Sequence, residues 1–289
     1  MIIALFANTK KRIALDIAVR VRDFLCQRHV KVVTRDDLAT LLHLPLLSTL
    51  GSEQPDFIIS IGGDGTILRL VHHHPELVSP ILGINAGHLG FLADVPLAEL
   101  IISLEELLDG AYEIQERIVM DGLCPDGQSC FAVNEFVIHR AKNPGLIDLA
   151  LHVDGDYLNT FSADGIIIST PCGSTAYSLA AGGPILSPEL NAFVITPICP
   201  HTISNRPLVL MPKQQIDIQY LSNYDPVEIT YDGFSHHTMR TNEVFRILRS
   251  RRSFRVVKLK RTDYFSTLRT KLNWSGQVRH ASALFDNED

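Results

Sequence analysis

Hydrophobic positions in the first third of the chain alternate between short continuous runs and runs at helical spacing. Ile2 to Ala7, Phe57 to Ile61 and Ile81 to Asn85 are apolar runs of the kind that form buried strands. Between them, Ala14 to Phe24 and Thr66 to His72 place apolar residues at helical spacing. Strands that alternate with helices indicate a parallel, doubly wound sheet, with ligands at the carboxyl ends of its strands.

The pattern changes after about Ile114, where short segments rich in Val, Ile, Phe and Thr follow one another with turn signals between many of them. These segments are 131–139, 147–153, 166–170, 193–198, 215–220, 227–231 and 254–259. They predict an antiparallel β domain, in the form of a sandwich. Leu97 to Leu108 has a helical period and is predicted to bridge the two domains.

Composition adds a few exclusions to this picture. The 289 residues are 46% hydrophobic and 20% charged, as in an ordinary globular protein of two domains. The net charge of -6 argues against a dedicated nucleic-acid binder. The one basic run, Arg249 to Arg261, alternates with apolar residues and is interpreted as the solvent face of strands.

Membrane and metal signals are also weak. Because no apolar stretch approaches the roughly 20 residues of a membrane span, we expect a cytoplasmic protein with no membrane partner. The odd number of cysteines, five, and the lack of Cys-x-x-Cys favour reduced thiols. Cys124 and Cys130 flank a turn signal and are predicted to face each other across a hairpin, but no two further zinc ligands lie nearby in the sequence. His72, His73 and His74 do not share a helix face, so we interpret them as a solvated helix end rather than a metal site.

The segment "IISIGGDGTILRL" carries the clearest chemistry. A buried strand ends, three glycines surround Asp64, and a helix begins at about Thr66. Glycines let backbone N–H groups approach phosphates, and a helix N-terminus favours anions. The loop is neither a Walker A motif nor the dinucleotide fingerprint. A carboxylate among phosphate-binding glycines either helps to hold magnesium or accepts a proton from an attacking hydroxyl. The sequence therefore predicts a phosphotransferase.

Two further segments suggest where a ligand binds. "STPCGSTAYSLAAGGPI", from Ser169 to Ile185, is a loop of small and hydroxyl residues with Tyr177 available to stack; a turn with a short helix explains it about as well. Asn134 and Glu135 lie inside an apolar strand, where an unsatisfied polar pair is costly, so we expect them to meet a polar ligand. Asp164-Gly165 and Asp232-Gly233 are explained equally well as turns.

Together these segments resemble the NAD kinase family over most of the chain. The matching motifs are "GGDGTILR" (62–69), "GINAGHLGFLAD" (83–94), "VNE" (133–135), "DGIIISTPCGSTAYSLAAGGPI" (164–185), "PICPHTISNRPLV" (197–209) and "DYFSTLRTKLNW" (263–274). The resemblance implies transfer of the ATP γ-phosphoryl group to the 2′-hydroxyl of the adenosine ribose of NAD, with magnesium and a homo-oligomer, a homodimer or homotetramer. It also implies an α/β N-terminal Rossmann-like domain (1–96, plus the closing segment 262–289) with a C-terminal all-β sandwich domain (97–261).

The resemblance also assigns roles to residues. Asp64 becomes the proton acceptor or a metal-facing carboxylate, and magnesium is otherwise held mainly through ATP. The phosphate loop is Gly62, Gly63, Gly65 and Thr66. The implied NAD-binding residues are Asp64, Gly65, Arg69, Phe91, Asn134, Glu135, Asp164, Cys172, Thr175, Ala176, Tyr177, Ser178, Leu179 and Ala180.

Three positions depart from the family pattern. Cys172 stands where members often carry Thr, Ser162 where many carry Arg, and Phe234 where many carry Gln, which affects the polarity of the pocket and the affinity for NAD.

Two other functions remain as alternatives. A lipid kinase of the diacylglycerol type is the first alternative, since such kinases share the Gly-Gly-Asp-Gly-Thr loop, and a non-enzymatic dinucleotide sensor is the second. Polyphosphate in place of ATP and NADH in place of NAD both stay open.

Overall fold

A computed structural model gives the fold of residues 1–87, 89–201, 206–212 and 214–274. The strands are β1 (Ile2–Ala7), β2 (Lys31–Thr34), β3 (Phe57–Gly62), β4 (Ile81–Asn85), β5 (Tyr112–Leu123), β6 (Ser129–Ala132), β7 (Glu135–His139), β8 (Ile147–Val153), β9 (Asp156–Ala163), β10 (Gly165–Ser169), β11 (Phe193–Ile198), β12 (Leu208–Leu210), β13 (Ile216–Tyr220), β14 (Val227–Tyr231), β15 (Phe234–Met239) and β16 (Val244–Leu259). The helices are α1 (Arg12–Gln27), α2 (Asp36–Leu42), α3 (Asp64–His73), α4 (Leu100–Leu108), α5 (Tyr177–Ala180) and α6 (Tyr264–Leu272).

The N-terminal part is a parallel sheet in the order β2-β1-β3-β4. Its strands are continuous apolar runs because helices cover both faces: every residue of β3 and β4 is buried. Helices α1 and α4 pack on one face and α3 packs on the other. The predicted α/β architecture of the N-terminal part is confirmed.

The C-terminal part consists of antiparallel strands in two layers. One layer is a separate six-stranded sheet in the order β12-β11-β10-β7-β14-β15. The other continues the parallel sheet through β16, β13, β8 and β9, with β5 and β6 paired alongside. Alternate apolar side chains of both layers form one buried core between them, which is the arrangement of a β sandwich. The predicted fold class is therefore confirmed.

A third core joins the two parts. It contains the buried face of α3, including Ile67 and Leu70, together with Val133, Cys172 and Phe254 from the β-rich part. This packing fixes the helix that follows the glycine loop against the segment around Asn134. The domain boundaries at 96 and 261 stay a prediction, and residues 275–289 of the closing segment lie outside the described residues.

The structure differs from the sequence prediction in three places. The strand predicted over 131–139 is two strands, β6 and β7, because the chain leaves the ladder at Val133 and Asn134. The turn at 162–165 connects β9 in one sheet to β10 in the other, so it is a crossover between layers. Helix α2 was not predicted, because its seven residues are too few to show a period.

One prediction is confirmed in part and another in full. Residues 249–259 of the basic run lie in β16, where Phe254 and Val256 are buried between arginines, but Lys258 and Arg261 form ion pairs with Asp94 and Glu106. Cys124 and Cys130 face each other at the end of the β5–β6 hairpin.

Among the described helices, none combines the length and apolarity needed for a bilayer crossing.

Candidate functional site

The glycine loop connects the carboxyl end of β3 to the first turn of α3. Gly63 is the extended residue before the helix, and Asp64 is the first helical residue. Gly62 has no room for a side chain, since a Cβ there would lie 2.3 Å from Oγ1 of Thr66. The loop therefore places a carboxylate and several backbone N–H groups at a helix N-terminus, where negative charge is favoured.

The Asp64 carboxylate is held by three backbone N–H groups of a second loop. Leu92 and Ala93 donate to Oδ1 at 3.0 and 2.9 Å, and Phe91 donates to Oδ2 at 2.9 Å. A carboxylate offers about four lone-pair positions, and Oδ2 accepts from one donor among the described residues, which leaves a position for a further donor. Gly90 makes this contact possible, because a Cβ on Gly90 would lie 1.9 Å from Oδ1 of Asp64.

A basic cavity of about 230 Å³ lies beside the first turns of α3. Thr66 and Arg69 line it together with Lys10 and Arg35, which lie after the carboxyl ends of β1 and β2. Parallel sheets bind ligands at this edge. The cavity combines three cationic side chains with a hydroxyl group of the glycine loop, which suits a polyanion such as a phosphate chain.

The Asn134–Glu135 segment is held by a buried aspartate from another strand. Asp232 accepts hydrogen bonds from the backbone N–H groups of Val133 (2.8 Å), Asn134 (2.7 Å) and Glu135 (3.2 Å). These bonds replace the ladder pairing that the strand loses between β6 and β7. Asp232 has a left-handed backbone (φ 50°) and lies in the turn between β14 and β15.

The same aspartate connects this segment to α3. Nε2 of His72 lies 2.7 Å from Oδ2 of Asp232, and the His72 ring stacks on Phe131. The expectation that His72 is solvated is wrong, since its side chain is only 11% exposed. His72 is eight residues after Asp64, or about 12 Å along the helix axis. Helix α3 thus links the glycine loop to the Asn134–Glu135 segment.

Glu135 is buried, and no ion pair joins it to another residue in the described part of the chain. One carboxylate oxygen, Oε2, has no hydrogen-bond partner in the described part of the chain. Burial, and secondarily the negative charge of Asp232, raise the pKa of Glu135 to about 8. The side chain is therefore largely protonated at neutral pH in the free protein. A buried, unpartnered carboxyl group with a raised pKa is typical of a ligand site.

The segment that starts at Ser169 packs directly against Asn134. The Thr170 hydroxyl donates to the Val133 carbonyl, and the Thr170 N–H donates to the Asn134 carbonyl at 2.8 Å. A Cβ on Gly173 would lie 2.2 Å from that same carbonyl oxygen, so the two backbones touch only because residue 173 is glycine. The two segments suggested by the sequence therefore meet in space.

A cavity of about 540 Å³ opens beside these segments. Glu135, Asp164 and Tyr177, which lie far apart in the sequence, all line it. Arg140 also lines it and forms a 2.9 Å ion pair with Asp164, although no motif or pattern in the sequence selects this arginine. The volume falls in the range of small-molecule sites.

The remaining predicted residues of the Ser169–Ile185 segment are not among those that line this cavity. The Ser178 hydroxyl points inward and lies 2.9 Å from the Thr196 hydroxyl. The Cys172 thiol is buried and accepts a hydrogen bond from Arg117 at 3.4 Å. Thr175 donates to the Cys172 carbonyl, while Leu179 and Ala180 belong to the short helix α5. Ala176 precedes that helix.

Phe91 connects the loop that binds Asp64 to the closing segment. Its ring lies 6.4 Å from that of Tyr264 in α6, and Nζ of Lys271 lies 5.5 Å above it. The Tyr264 hydroxyl donates to the carbonyl of Leu186, just after the Ser169–Ile185 segment. The closing helix therefore lies between the two halves of the candidate site.

Comparison with known families decides the classification. The model of the ATP-NAD kinase N-terminal domain matches residues 3–112, and that of the ATP-NAD kinase C-terminal domain matches residues 133–259. The NAD kinase of Protochlamydia amoebophila is 57% identical over 277 residues, which cover 96% of this chain and 99% of the relative. The chain belongs to the NAD kinase family. The NAD kinase of Moorella thermoacetica is 37% identical and covers 95% of this chain, with 90% of its own length matched.

Solved NAD kinase structures share the fold. Yeast NADH kinase, crystallised with NADH, superposes with a TM-score of 0.85 at 25% identity, covering 96% of this chain and 89% of its own. An NAD kinase from Archaeoglobus fulgidus in complex with ATP gives a TM-score of 0.72 at 26% identity, and the match covers 93% of this chain and 99% of the Archaeoglobus chain. The resemblance inferred from the motifs is confirmed, and these findings give the lipid-kinase alternative no support.

Proposed function

We propose that this chain is an NAD kinase that transfers the γ-phosphoryl group of ATP to the 2′-hydroxyl of the adenosine ribose of NAD. The observation that carries the proposal is the Asp64 carboxylate, fixed by three N–H groups at the start of α3 with one lone pair of Oδ2 left free by the described residues. A family relationship over nearly the whole chain supports the identity of both substrates.

Asp64 is proposed to act as the proton acceptor. The 2′-oxygen attacks the γ-phosphorus, the bond to the β,γ-bridging oxygen breaks in line, and ADP leaves. The hydroxyl proton passes to Oδ2 of Asp64, because Oδ1 already accepts two N–H groups. The N–H groups of the glycine loop then stabilise the charge on the transferred phosphoryl group.

The basic cavity beside α3 is proposed to bind the phosphate chain of ATP. Lys10, Arg35 and Arg69 line it, and Thr66 connects it to the glycine loop. Magnesium fits this arrangement as an ion carried mainly by ATP, since the loop offers a single carboxylate that is already engaged by N–H donors. When bound, it would neutralise phosphate charge.

The larger cavity is proposed to bind the adenosine half of NAD. A protonated Glu135 can donate one hydrogen bond and accept others, which suits a ribose hydroxyl group. Tyr177, 46% exposed at the cavity wall, offers a ring face for stacking. Asn134, Phe91, Cys172 and the residues around α5 complete the proposed NAD site as the sequence predicts.

A donor and acceptor panel tests this function. Purified protein is incubated with magnesium, one of ATP or polyphosphate, and one of NAD or NADH, and the phosphorylated dinucleotide is quantified. We expect NADP from ATP and NAD, dependent on magnesium. No turnover with any combination, despite measurable NAD binding, would support the dinucleotide-sensor alternative instead.

Localisation and assembly complete the proposal. We infer a cytoplasmic enzyme that assembles as a homodimer or homotetramer, as the family resemblance implies. Light scattering coupled to size-exclusion chromatography measures the assembly, and a monomer at assay concentration would refute it.

A further inference from the structure

A cluster of metal-binding side chain types lies outside the candidate active site, at the turn between β5 and β6. Sγ of Cys124 and Sγ of Cys130 are 3.9 Å apart, and both residues are at most 9% exposed. Ligand atoms of Cys124, Asp126 and His237 all lie within 4.8 Å of one another, and Cys130 joins this group only through its contact with Cys124. His237 comes from β15, so the cluster joins two elements that are distant in sequence.

Two pairs of ligand atoms lie near the separations found around a tetrahedral metal ion. Two thiolates bound to zinc at about 2.3 Å, at the tetrahedral angle, lie about 3.8 Å apart. The observed separation of the two sulfur atoms is 3.9 Å. Nδ1 of His237 and Oδ2 of Asp126 are also 3.9 Å apart, against about 3.4 Å for nitrogen and oxygen ligands of one zinc ion. To bring all four ligand atoms to one ion, the Asp126 and Cys130 side chains must rotate toward the other two.

We propose that Cys124, Cys130, Asp126 and His237 bind one structural zinc ion. Two thiolates, an imidazole and a carboxylate are all established zinc ligands, and the thiolates select against magnesium and calcium. The sequence alone indicated no two further ligands near these cysteines. Asp126 lies within the turn itself, and the pairing of β14 with β15 brings His237 to it from far along the chain.

The arrangement favours a metal site over a simple cysteine pair. A pair that only formed a disulfide would need neither Asp126 nor His237, yet both reach Cys124. The sulfur atoms lie on the buried side, while the Asp126 side chain is 51% exposed and the His237 side chain 16% exposed. An ion can therefore enter from solvent at the turn and be enclosed by protein on the other side.

The proposed ion would stabilise the strand that follows the Asp232 turn. β15 begins at Phe234, two residues after Asp232, which holds the Asn134–Glu135 segment. A metal bond from His237 to the β5–β6 hairpin would fix β15 at its middle. The expected role is therefore structural, at a distance from the reacting groups.

The experiment measures metal content and coordination in the full-length, tag-free protein. We expect about one zinc per chain by elemental analysis of protein purified under reducing conditions without chelator. After chelation, added Co²⁺ should give a thiolate charge-transfer band and the intense visible bands of a tetrahedral site. Removal of the metal should lower the thermal midpoint, and zinc should restore it.

Matched variants identify the ligands. The Cys124→Ser/Cys130→Ser variant should lose the metal and both cobalt features. The Cys26→Ser/Cys199→Ser variant removes two exposed thiols instead, and it should retain the metal and both cobalt features. His237→Asn tests the site without changing the buried sulfur atoms, so it remains informative if the double cysteine variant does not fold.

Two results would overturn the proposal. One is reduced wild-type protein that retains no zinc after incubation with an equimolar amount and desalting. The other is a His237→Asn variant with the zinc content, cobalt spectrum and thermal midpoint of the wild type. A disulfide between Cys124 and Cys130 in protein that binds no metal after reduction would identify a redox pair in place of the zinc site.

Discussion

The Asp232 carboxylate is a positioning group whose removal should affect both stability and substrate binding. In Asp232→Asn, the remaining oxygen can replace Oδ1 and keep the N–H groups of Asn134 and Glu135. The new NH₂ group then faces the N–H group of Val133, which previously donated to Oδ2 at 2.8 Å. The buried N–H group of Val133 loses its acceptor, Nε2 of His72 meets this NH₂ group in place of the Oδ2 that lay 2.7 Å away, and the other bonds lose their charged acceptor.

The magnitude follows from hydrogen-bond energetics. A bond to a charged group contributes about 1.5–3 kcal/mol, and an unpaired buried N–H group costs about 1–3 kcal/mol. Because partial relaxation recovers some of this, we expect Asp232→Asn to lower the free energy of unfolding by about 3 kcal/mol. We also expect kcat/KM for NAD to fall about tenfold or more, since Asn134 and Glu135 are displaced.

Asp154→Asn is the matched control for this variant. Asp154 also precedes a glycine in a hairpin turn with a left-handed backbone (φ 54°, against 50° for Asp232), but it is exposed and its Oδ1 accepts one bond, from Gln215. Urea denaturation followed by circular dichroism gives the unfolding free energies, and steady-state assays give kcat/KM. If the free energies of unfolding of the two variants differ by less than about 0.5 kcal/mol and their kcat/KM values for NAD are equal, the positioning role of Asp232 is wrong.

Two further predictions concern the neighbouring groups. Gly90→Ala places a Cβ 1.9 Å from Oδ1 of Asp64, so we expect kcat to fall at least about tenfold. The control is Gly87→Ala in the same loop, whose Cβ has Nζ of Lys11, at 3.8 Å, as its nearest described neighbour and which should retain wild-type kcat. Equal kcat values for both variants would refute the contact between residue 90 and Asp64. The pKa of Glu135 is raised from 4.5 to about 8, so the folded state binds more protons and the unfolding free energy should fall as pH rises between these values, by at most ~5 kcal/mol. Glu135→Gln should remove that part of the pH dependence, and an unchanged profile in urea denaturation would contradict the assignment.

Much of the fold could be predicted because its first third consists of long elements with strong patterns. β1, α1, β3, α3 and β4 each bury a continuous run or a helical stripe, so their type is readable from local sequence. Short α2 and the crossover from β9 to β10 could not be predicted, because a seven-residue helix shows little period and a change of sheet has no local signature.

Sequence reasoning proposed the residues of the candidate site but could not predict their contacts. The glycine loop was selected because its glycines can bring N–H groups to a phosphate beside one carboxylate, and the Asn134–Glu135 pair because polar residues in an apolar strand need a partner. The partners themselves are non-local: Asp232 was explained equally well as a turn, and His72 was expected in solvent. Only tertiary pairing brings β14 beside β7, and α3 beside Val133 and the turn at Asp232.

The most direct test of the central claim is Asp64→Asn, measured for both phosphoryl transfer and NAD binding. If Asp64 accepts the 2′-hydroxyl proton, kcat should fall about 10²-fold or more. The dissociation constant for NAD from calorimetry, and the thermal midpoint, should change far less. An Asp64→Asn protein that forms NADP at a rate close to that of the wild type would contradict the account.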